Sequence, residues 1–174
     1  IYAIALAEKI ARRQLNNPDS ADISADFNRN NNWYYGTDAN PPAGQTDLVS
    51  VVLHEITHGI GFIGYFSAPE NGSTGQYLSN GFPGVYDHFI ENAQAQRLVT
   101  SQEAFPDNST ALFRQFTGNN LFFNGPILRQ NTGQRAKLYA PSTFDRGSSL
   151  YHLDENTYPA QNPNSLMTPQ LANA

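Results

Sequence analysis

Residues 46–61 read Thr46-Asp-Leu-Val-Ser-Val-Val-Leu-His-Glu-Ile-Thr-His-Gly-Ile-Gly61 and are the most informative stretch of the 174-residue chain. Their apolar residues recur with helical spacing and predict a largely buried helix. Thr46 or Asp47 can cap its start, and the carboxylate of Asp47 suits the positive end of the helix dipole. Gly59 and Gly61 then allow the chain to turn out of the helix.

Two histidines and a glutamate in this helix predict a metal site. His54 and His58 are four residues apart, so both imidazoles lie on one face, a turn apart, and can reach one ion. Glu55 directly follows the first histidine and can hold and deprotonate a water bound to that ion. Catalytic zinc takes three protein ligands and keeps a fourth position for water. A third ligand must therefore come from another part of the chain.

The third ligand has several candidates. In the contiguous form of the motif a histidine would occupy position 64, but Gly64 has no side chain to offer. His152, in the loop-rich C-terminal part, is the preferred candidate. Glu91 is the main carboxylate alternative, although Ala95 stands where the glutamate-liganded zinc peptidases have an aspartate. The remaining candidates are Asp154 and His88.

Composition excludes several functional classes. The net charge is −5 without a cluster of Lys or Arg, which argues against a nucleic-acid partner. The absence of cysteine excludes a thiol nucleophile and a cysteine-based zinc site. No apolar run approaches the roughly 20 residues that a membrane-spanning helix needs. We expect a secreted bacterial protein whose signal and any propeptide lie outside this chain; the sequence leaves the oligomeric state open.

The pattern of elements predicts an α+β fold in a single domain, residues 1–174, with an N-terminal lobe at about 1–64 and a C-terminal lobe at about 65–174. Helices are expected at residues 2–15, 46–60, 85–98 and 108–116. Strands are expected at residues 21–28, 33–36, 121–123 and 137–139, with mostly loop from residue 141 onward.

The tail contains the only methionine of the chain, Met167, fifteen residues after His152 in a turn-prone context. Together with the helix motif and its Gly61, this order resembles the metzincin clan of zinc endopeptidases, in which a methionine turn forms an apolar floor under a three-histidine site. The long insert between Gly61 and His152 is similar to the leishmanolysin-like members. Those members are rich in disulfides, whereas this chain has no cysteine, so an unassigned metzincin family is the other interpretation.

The resemblance implies a metzincin-like zincin catalytic domain with a small N-terminal twisted sheet, backing and active-site helices and a loop-rich C-terminal subdomain. It implies a zinc-dependent endopeptidase in which a metal-bound water, activated by Glu55, attacks the peptide bond. One Zn²⁺ would be held by His54, His58 and His152, above Met167. Either Tyr151 or Tyr158 could support the transition state.

The resemblance also implies a protein or peptide substrate. An edge strand at 33–36 would pair with the extended substrate, and residues 166–171 would line an apolar pocket for the side chain after the cut. Two alternatives remain, a zinc-binding domain without turnover and a zinc hydrolase acting on a non-peptide amide. Ca²⁺ is a further possibility because aspartates recur between Asp19 and Asp47, but none of them has the spacing of a calcium loop.

Overall fold

A computed structural model describes residues 1–69, 72–77 and 81–170. The α-helices are α1 (Ile4–Ala11), α2 (Leu48–Gly59), α3 (Thr110–Phe116) and α4 (Pro126–Thr132). The strands are β1 (Trp33–Tyr34), β2 (Thr46–Asp47), β3 (Phe66–Ser67), β4 (Gln76–Tyr77), β5 (Ile90–Asn92), β6 (Leu121–Phe123) and β7 (Ala136–Lys137). Short 3₁₀ turns lie at Asp87–Phe89 and Ser165–Met167. This mixture of helices and small sheets confirms the predicted α+β class.

The strands form three small sheets. β1 pairs with β2 in parallel, immediately before α2. β3 and β4 form an antiparallel pair, and β5, β6 and β7 form an antiparallel sheet with β6 in the middle. Among the described residues, no helix is both long enough and apolar enough to cross a membrane.

The start and end of α2 follow from its sequence. Asp47 caps the helix as predicted, its Oδ2 accepting a hydrogen bond from the Ser50 backbone N–H (3.1 Å). The chain leaves the helix through Gly61, whose φ of +125° is a conformation that side-chain-bearing residues rarely adopt. The predicted burial of this helix is wrong, since His54 is its only buried residue and Leu53 is 49% exposed. One face contacts the Ser165–Met167 turn, and the opposite face is open.

The prediction of a helix at residues 85–98 is wrong. Only a 3₁₀ turn forms there, and Ile90–Asn92 is a fully buried strand paired with Leu121–Phe123. The side chain of Asn92 accepts hydrogen bonds from the backbone of Gln94 and Gln96, and Ala95 has a positive φ of 60°. This turn interrupts the helical hydrogen bonds, and long-range strand pairing replaces them.

Other boundaries also differ from the sequence predictions. The first helix is shorter, residues 21–28 form no strand, and α4 was not predicted. Residues 21–28 have no paired neighbour in the described chain, so their alternating pattern has no sheet to join. The strand at 121–123 is confirmed, and residues 141–170 are mostly irregular as predicted.

The hydrophobic core lies entirely C-terminal to α2. Within the described part of residues 1–63, His54 is the only buried residue. The largest fully buried hydrophobic side chains of the described residues come from β5, β6, α3 and the loops around them: Ile90, Leu98, Leu112, Phe116, Leu121, Leu138 and Leu150. The helix that carries the metal-site motif is therefore placed against a core built by later residues.

Candidate metal centre

The two histidines of α2 are held by backbone carbonyls. His54 Nδ1 lies 2.7 Å from the carbonyl oxygen of Leu166, in the turn near the C-terminal end. His58 Nδ1 lies 2.8 Å from the carbonyl oxygen of Phe62, where the chain leaves the helix. A carbonyl oxygen can only accept a hydrogen bond, so each Nδ1 carries the proton. Each Nε2 therefore presents a lone pair.

His152 reaches the same place from an irregular segment. Its Nδ1 lies 2.9 Å from the carbonyl oxygen of Ser148, so its Nε2 also presents a lone pair. Two backbone bonds to Tyr139 position the segment: Leu150 N–H donates to the Tyr139 oxygen (2.8 Å), and Tyr139 N–H donates to the His152 oxygen (2.9 Å). Leu150 has a positive φ of 77°. The sequence gives no local signal for this arrangement.

The three Nε2 atoms converge on one point. The Nε2 of His54 lies 3.1 Å from that of His58 and 3.1 Å from that of His152, and the remaining pair is separated by 3.3 Å. Three lone pairs directed at one another cannot hydrogen-bond, since no proton is left to share. A cation between them removes the repulsion.

The donor set fits a tetrahedral metal ion. Zinc–imidazole bonds of about 2.0–2.1 Å at tetrahedral angles put neighbouring nitrogens about 3.3–3.4 Å apart, close to the observed separations. Imidazole suits zinc and other late first-row transition metals, whereas Ca²⁺ prefers oxygen. Within the described residues, these histidines are the only group of three or more His or acidic side chains able to share an ion. The aspartates considered for Ca²⁺ form no such group there.

Burial favours the neutral form of two of these imidazoles, those of His58 and His152. His54 and His152 are each only 6% exposed. Burial, together with the neighbouring histidines, lowers the pKa of His152 to about 4. The pKa of His58 is also lowered, mainly by burial. Neutral imidazole is the form that binds a metal, so little proton displacement opposes binding near neutral pH.

The other candidates for the third ligand lie elsewhere. Glu91 is buried in β5, where it forms an ion pair with Arg135 (2.8 Å). The carboxylate of Asp154 accepts hydrogen bonds from the backbone N–H and hydroxyl of Thr157. His88 is exposed on the surface. Of the four candidates, the structure therefore brings only His152 to the α2 histidines.

Met167 is buried beside this centre. It is 6% exposed and ends the Ser165–Met167 turn, which contacts α2. The preceding residue, Leu166, provides the carbonyl that holds His54. The Met167 carbonyl accepts a hydrogen bond from Leu153 N–H (2.7 Å), which ties the turn to the residue after His152. One turn thus restrains two of the three histidines.

Two cavities meet at Glu55 and His58. The N-terminal cavity, about 720 Å³, lies between α2 and the irregular segment 22–28. The aromatic cavity, about 550 Å³, is walled by Phe66, Phe144 and Tyr151. Glu55 is exposed and lines both cavities. Its carboxylate is therefore available to a molecule bound in either cavity.

The two tyrosines expected near the reaction centre differ in position. Tyr151 lines the aromatic cavity, but its hydroxyl is bonded to the backbone N–H and carbonyl of Phe66. Tyr158 lines a separate cavity beside α4, and its hydroxyl accepts a hydrogen bond from Lys137 N–H (3.4 Å). Tyr65, which the sequence analysis did not single out, lines the N-terminal cavity together with Glu55.

The predicted substrate-binding segments can be located in part. Trp33, at the start of the expected edge strand, lines the N-terminal cavity, and β1 pairs on one side with β2. Leu171, at the end of the expected pocket segment 166–171, lies outside the described residues. Residues 166–170 line neither of the two cavities that reach Glu55.

A buried carboxylate that the sequence analysis missed, Asp87, lies between the segment that follows α2 and the segment that carries His152. Asp87 is fully buried and accepts hydrogen bonds from the backbone N–H groups of Tyr65 (2.8 Å) and Gly84 (2.7 Å). The Tyr151 hydroxyl lies 3.4 Å from its Oδ1. A Cβ atom at Gly64 would clash with Asp87 Oδ1 and the Tyr151 ring, so this position requires glycine. Only the tertiary structure reveals this contact.

Comparisons with known proteins give one match. No curated protein and no solved structure matches the chain. A family model described as SPBPB7E8-like matches residues 10–125, two thirds of the chain. The matched region includes His54, Glu55 and His58 and ends before His152 and Met167. Because the match extends over more than half of its length, the chain belongs to the SPBPB7E8-like family.

Proposed function

We propose that this protein is a zinc-dependent endopeptidase of the metzincin type, secreted and acting on protein or peptide substrates. The observation that carries the proposal is the convergence of three Nε2 atoms, 3.1–3.3 Å apart, from His54, His58 and His152. Each ring is oriented by a backbone carbonyl on its other nitrogen, as in many protein metal sites. The leishmanolysin-like order of motif, long insert, third histidine and methionine turn remains part of the proposal.

The chemistry follows from the donor set and from Glu55. Zinc, when bound, would lower the pKa of a coordinated water and polarise the scissile carbonyl. The Glu55 carboxylate would accept the proton of the attacking water as its oxygen bonds to the carbonyl carbon. As the carbon–nitrogen bond breaks, Glu55 would deliver that proton to the leaving amine. The carboxylate is exposed at the junction of the two cavities, where a scissile bond can reach it.

The open cavities support cleavage within a chain. The N-terminal and aromatic cavities extend on two sides of Glu55 and His58. A polypeptide can therefore occupy space before and after the scissile bond, which an endopeptidase requires. Met167 would supply the apolar floor that the metzincin resemblance implies.

The decisive experiment combines zinc content and cleavage. We expect the purified protein to bind one zinc per chain by mass spectrometry of the metal, to cleave casein or quenched peptides, and to lose cleavage to a chelator. Glu55→Gln should retain zinc and lose roughly 100- to 10,000-fold in kcat, the usual contribution of a general base.

Glu103→Gln, at an exposed site outside both cavities, is the matched control and should leave cleavage unchanged. Zinc binding without cleavage of any peptide by the wild-type protein would reject the endopeptidase and leave the two alternatives, a zinc-binding domain without turnover and a zinc hydrolase acting on a non-peptide amide.

A further inference from the structure

The aromatic cavity shares two lining residues, Phe144 and Arg146, with a neighbouring outer cavity. This outer cavity, about 550 Å³, is also bounded by Pro69, Gly72 and Phe113. Glu55 and His58 line the aromatic cavity but not the outer one. Phe144 and Arg146 therefore lie where the space beside the metal centre meets a second space of similar volume. Arg146 is exposed and its guanidinium donates a hydrogen bond to the Ala68 carbonyl (3.2 Å), so the half-buried ring of Phe144 is the apolar part of this boundary.

Phe144 is held by the core and by the loop that carries His152. Its ring centroid lies 5.9 Å from that of the fully buried Phe116 and 6.4 Å from that of Phe113. The next residue, Asp145, donates its N–H to the Ser149 hydroxyl (3.0 Å), and its carbonyl accepts from Ser149 N–H (2.9 Å). This short turn restrains the distance between the Phe144 backbone and His152.

The aromatic cavity suits an apolar side chain. Phe66 and Phe144 are apolar residues of its lining, beside the polar Ser67, Ser149 and Arg146. Tyr151 contributes its ring, because its hydroxyl is already bonded to the Phe66 backbone. The free energy gained on burial grows with the apolar area removed from water, so a large apolar side chain gains most from this space.

We propose that Phe144 determines substrate specificity: its ring closes the far end of the aromatic cavity and limits the size of the apolar side chain that binds beside the scissile bond. This inference rests on the proposed endopeptidase function and adds the residue that sets the substrate class. Shortening Phe144 joins the aromatic and outer cavities, so side chains longer than phenylalanine become acceptable.

The test begins with a digest of a denatured protein, in which mass spectrometry identifies the substrate position with the strongest apolar preference. Peptides carrying leucine, phenylalanine or biphenylalanine at that position are then compared with wild-type protein, Phe144→Ala and Phe144→Leu. The measured quantity is the ratio of kcat/KM for biphenylalanine to that for leucine. A ratio between two substrates does not depend on the folded fraction of a variant.

We expect the ratio to rise at least tenfold in Phe144→Ala, in line with the 10- to 200-fold effects of small size changes in apolar pockets. The rise should be smaller, about threefold, in Phe144→Leu, because leucine refills much of the space of the ring. Pro69→Ala is the matched control, since it shortens a side chain that lines the outer cavity and not the aromatic one; its ratio should equal that of the wild type. An unchanged ratio in both Phe144 variants, or an equal rise in Pro69→Ala, overturns the proposal.

Binding separates this proposal from the proposed function. Fluorescence anisotropy with the same peptides on Glu55→Gln, alone and combined with Phe144→Ala, reports on the cavity without turnover. A shift in binding preference towards biphenylalanine supports the role of Phe144 even if wild-type protein cleaves no peptide. If the wild type cleaves peptides but no Phe144 variant changes the preference, the proposed endopeptidase function is retained and the role of Phe144 is rejected.

Discussion

The helix α2 and the C-terminal segment 144–168 contribute to the same centre in opposite ways. α2 is regular, yet Leu53 is 49% exposed and His54 is its only buried residue. The C-terminal segment has little regular structure, yet it buries Leu150, His152 and Met167. Regular secondary structure and burial are therefore independent properties in this molecule.

α2 and the C-terminal segment differ in which residues their backbone hydrogen bonds join. The backbone bonds of α2 join residues four apart and form wherever the helix forms. In the C-terminal segment they join distant parts of the chain: Leu150 bonds to Tyr139, and Leu153 bonds to Met167. The ring of His58 is therefore oriented locally, by the Phe62 carbonyl, whereas the rings of His54 and His152 depend on the C-terminal half.

Among the tests of this comparison, the largest effect is expected on zinc affinity. His152→Ala should lose as much zinc affinity as His54→Ala, roughly 100- to 1,000-fold. Structural zinc sites gain about 10–16 kcal/mol from four ligands, so each ligand contributes about a quarter of that binding free energy. Competition with a chromophoric chelator measures this directly. His88→Ala, at an exposed position, should bind zinc like the wild type. Wild-type affinity in His152→Ala would contradict a three-histidine centre.

Truncating one side chain in each region compares how much α2 and the C-terminal segment contribute to the unfolding free energy. Met167→Ala should lower the unfolding free energy by about 3 kcal/mol, since it removes a buried side chain. Leu53→Ala, in the regular helix, should cost less than about 1 kcal/mol because half of that side chain is already in water. Urea unfolding in the presence of a chelator measures both values.

Met167→Leu, which conserves volume, should stay within about 1.5 kcal/mol of the wild type. A larger cost for Leu53→Ala than for Met167→Ala would reverse the roles assigned to the helix and the loop segment.

Asp87 tests the contact between the segment that follows α2, reached through Tyr65, and the C-terminal segment, reached through Tyr151. Burial raises its pKa from 3.8 to about 6. A pKa raised by folding means that Asp87 stabilises the fold fully below about pH 4, and that this contribution is lost as pH rises through about 6. The unfolding free energy of Asp87→Asn relative to the wild type should therefore rise by up to about 3 kcal/mol between pH 4 and pH 7.

Urea unfolding at each pH, with a chelator present, gives the difference between the two proteins and cancels the titration of all other groups. A difference that is constant with pH would show that Asp87 titrates in the folded protein as it does in the unfolded chain.

Sequence patterns predicted the elements whose hydrogen bonds are local. The helix at Leu48–Gly59, its Asp47 cap and the helix at Thr110–Phe116 follow from neighbouring residues. The same patterns failed at 85–98, where pairing with Leu121–Phe123 replaces a helix. Strand pairing depends on a partner about 30 residues away, which periodicity alone does not identify.

Residue spacing by itself determined that His54 and His58 share a helix face with Glu55 between them, because helical geometry depends only on adjacent residues. It also limited the third ligand to a few candidates. Only the tertiary structure decided among them: it brought His152 within 3.3 Å of both helix histidines and engaged Glu91 with Arg135. It also placed Phe144 between two cavities. These contacts join residues far apart in the chain, and they form when the core of the C-terminal half packs.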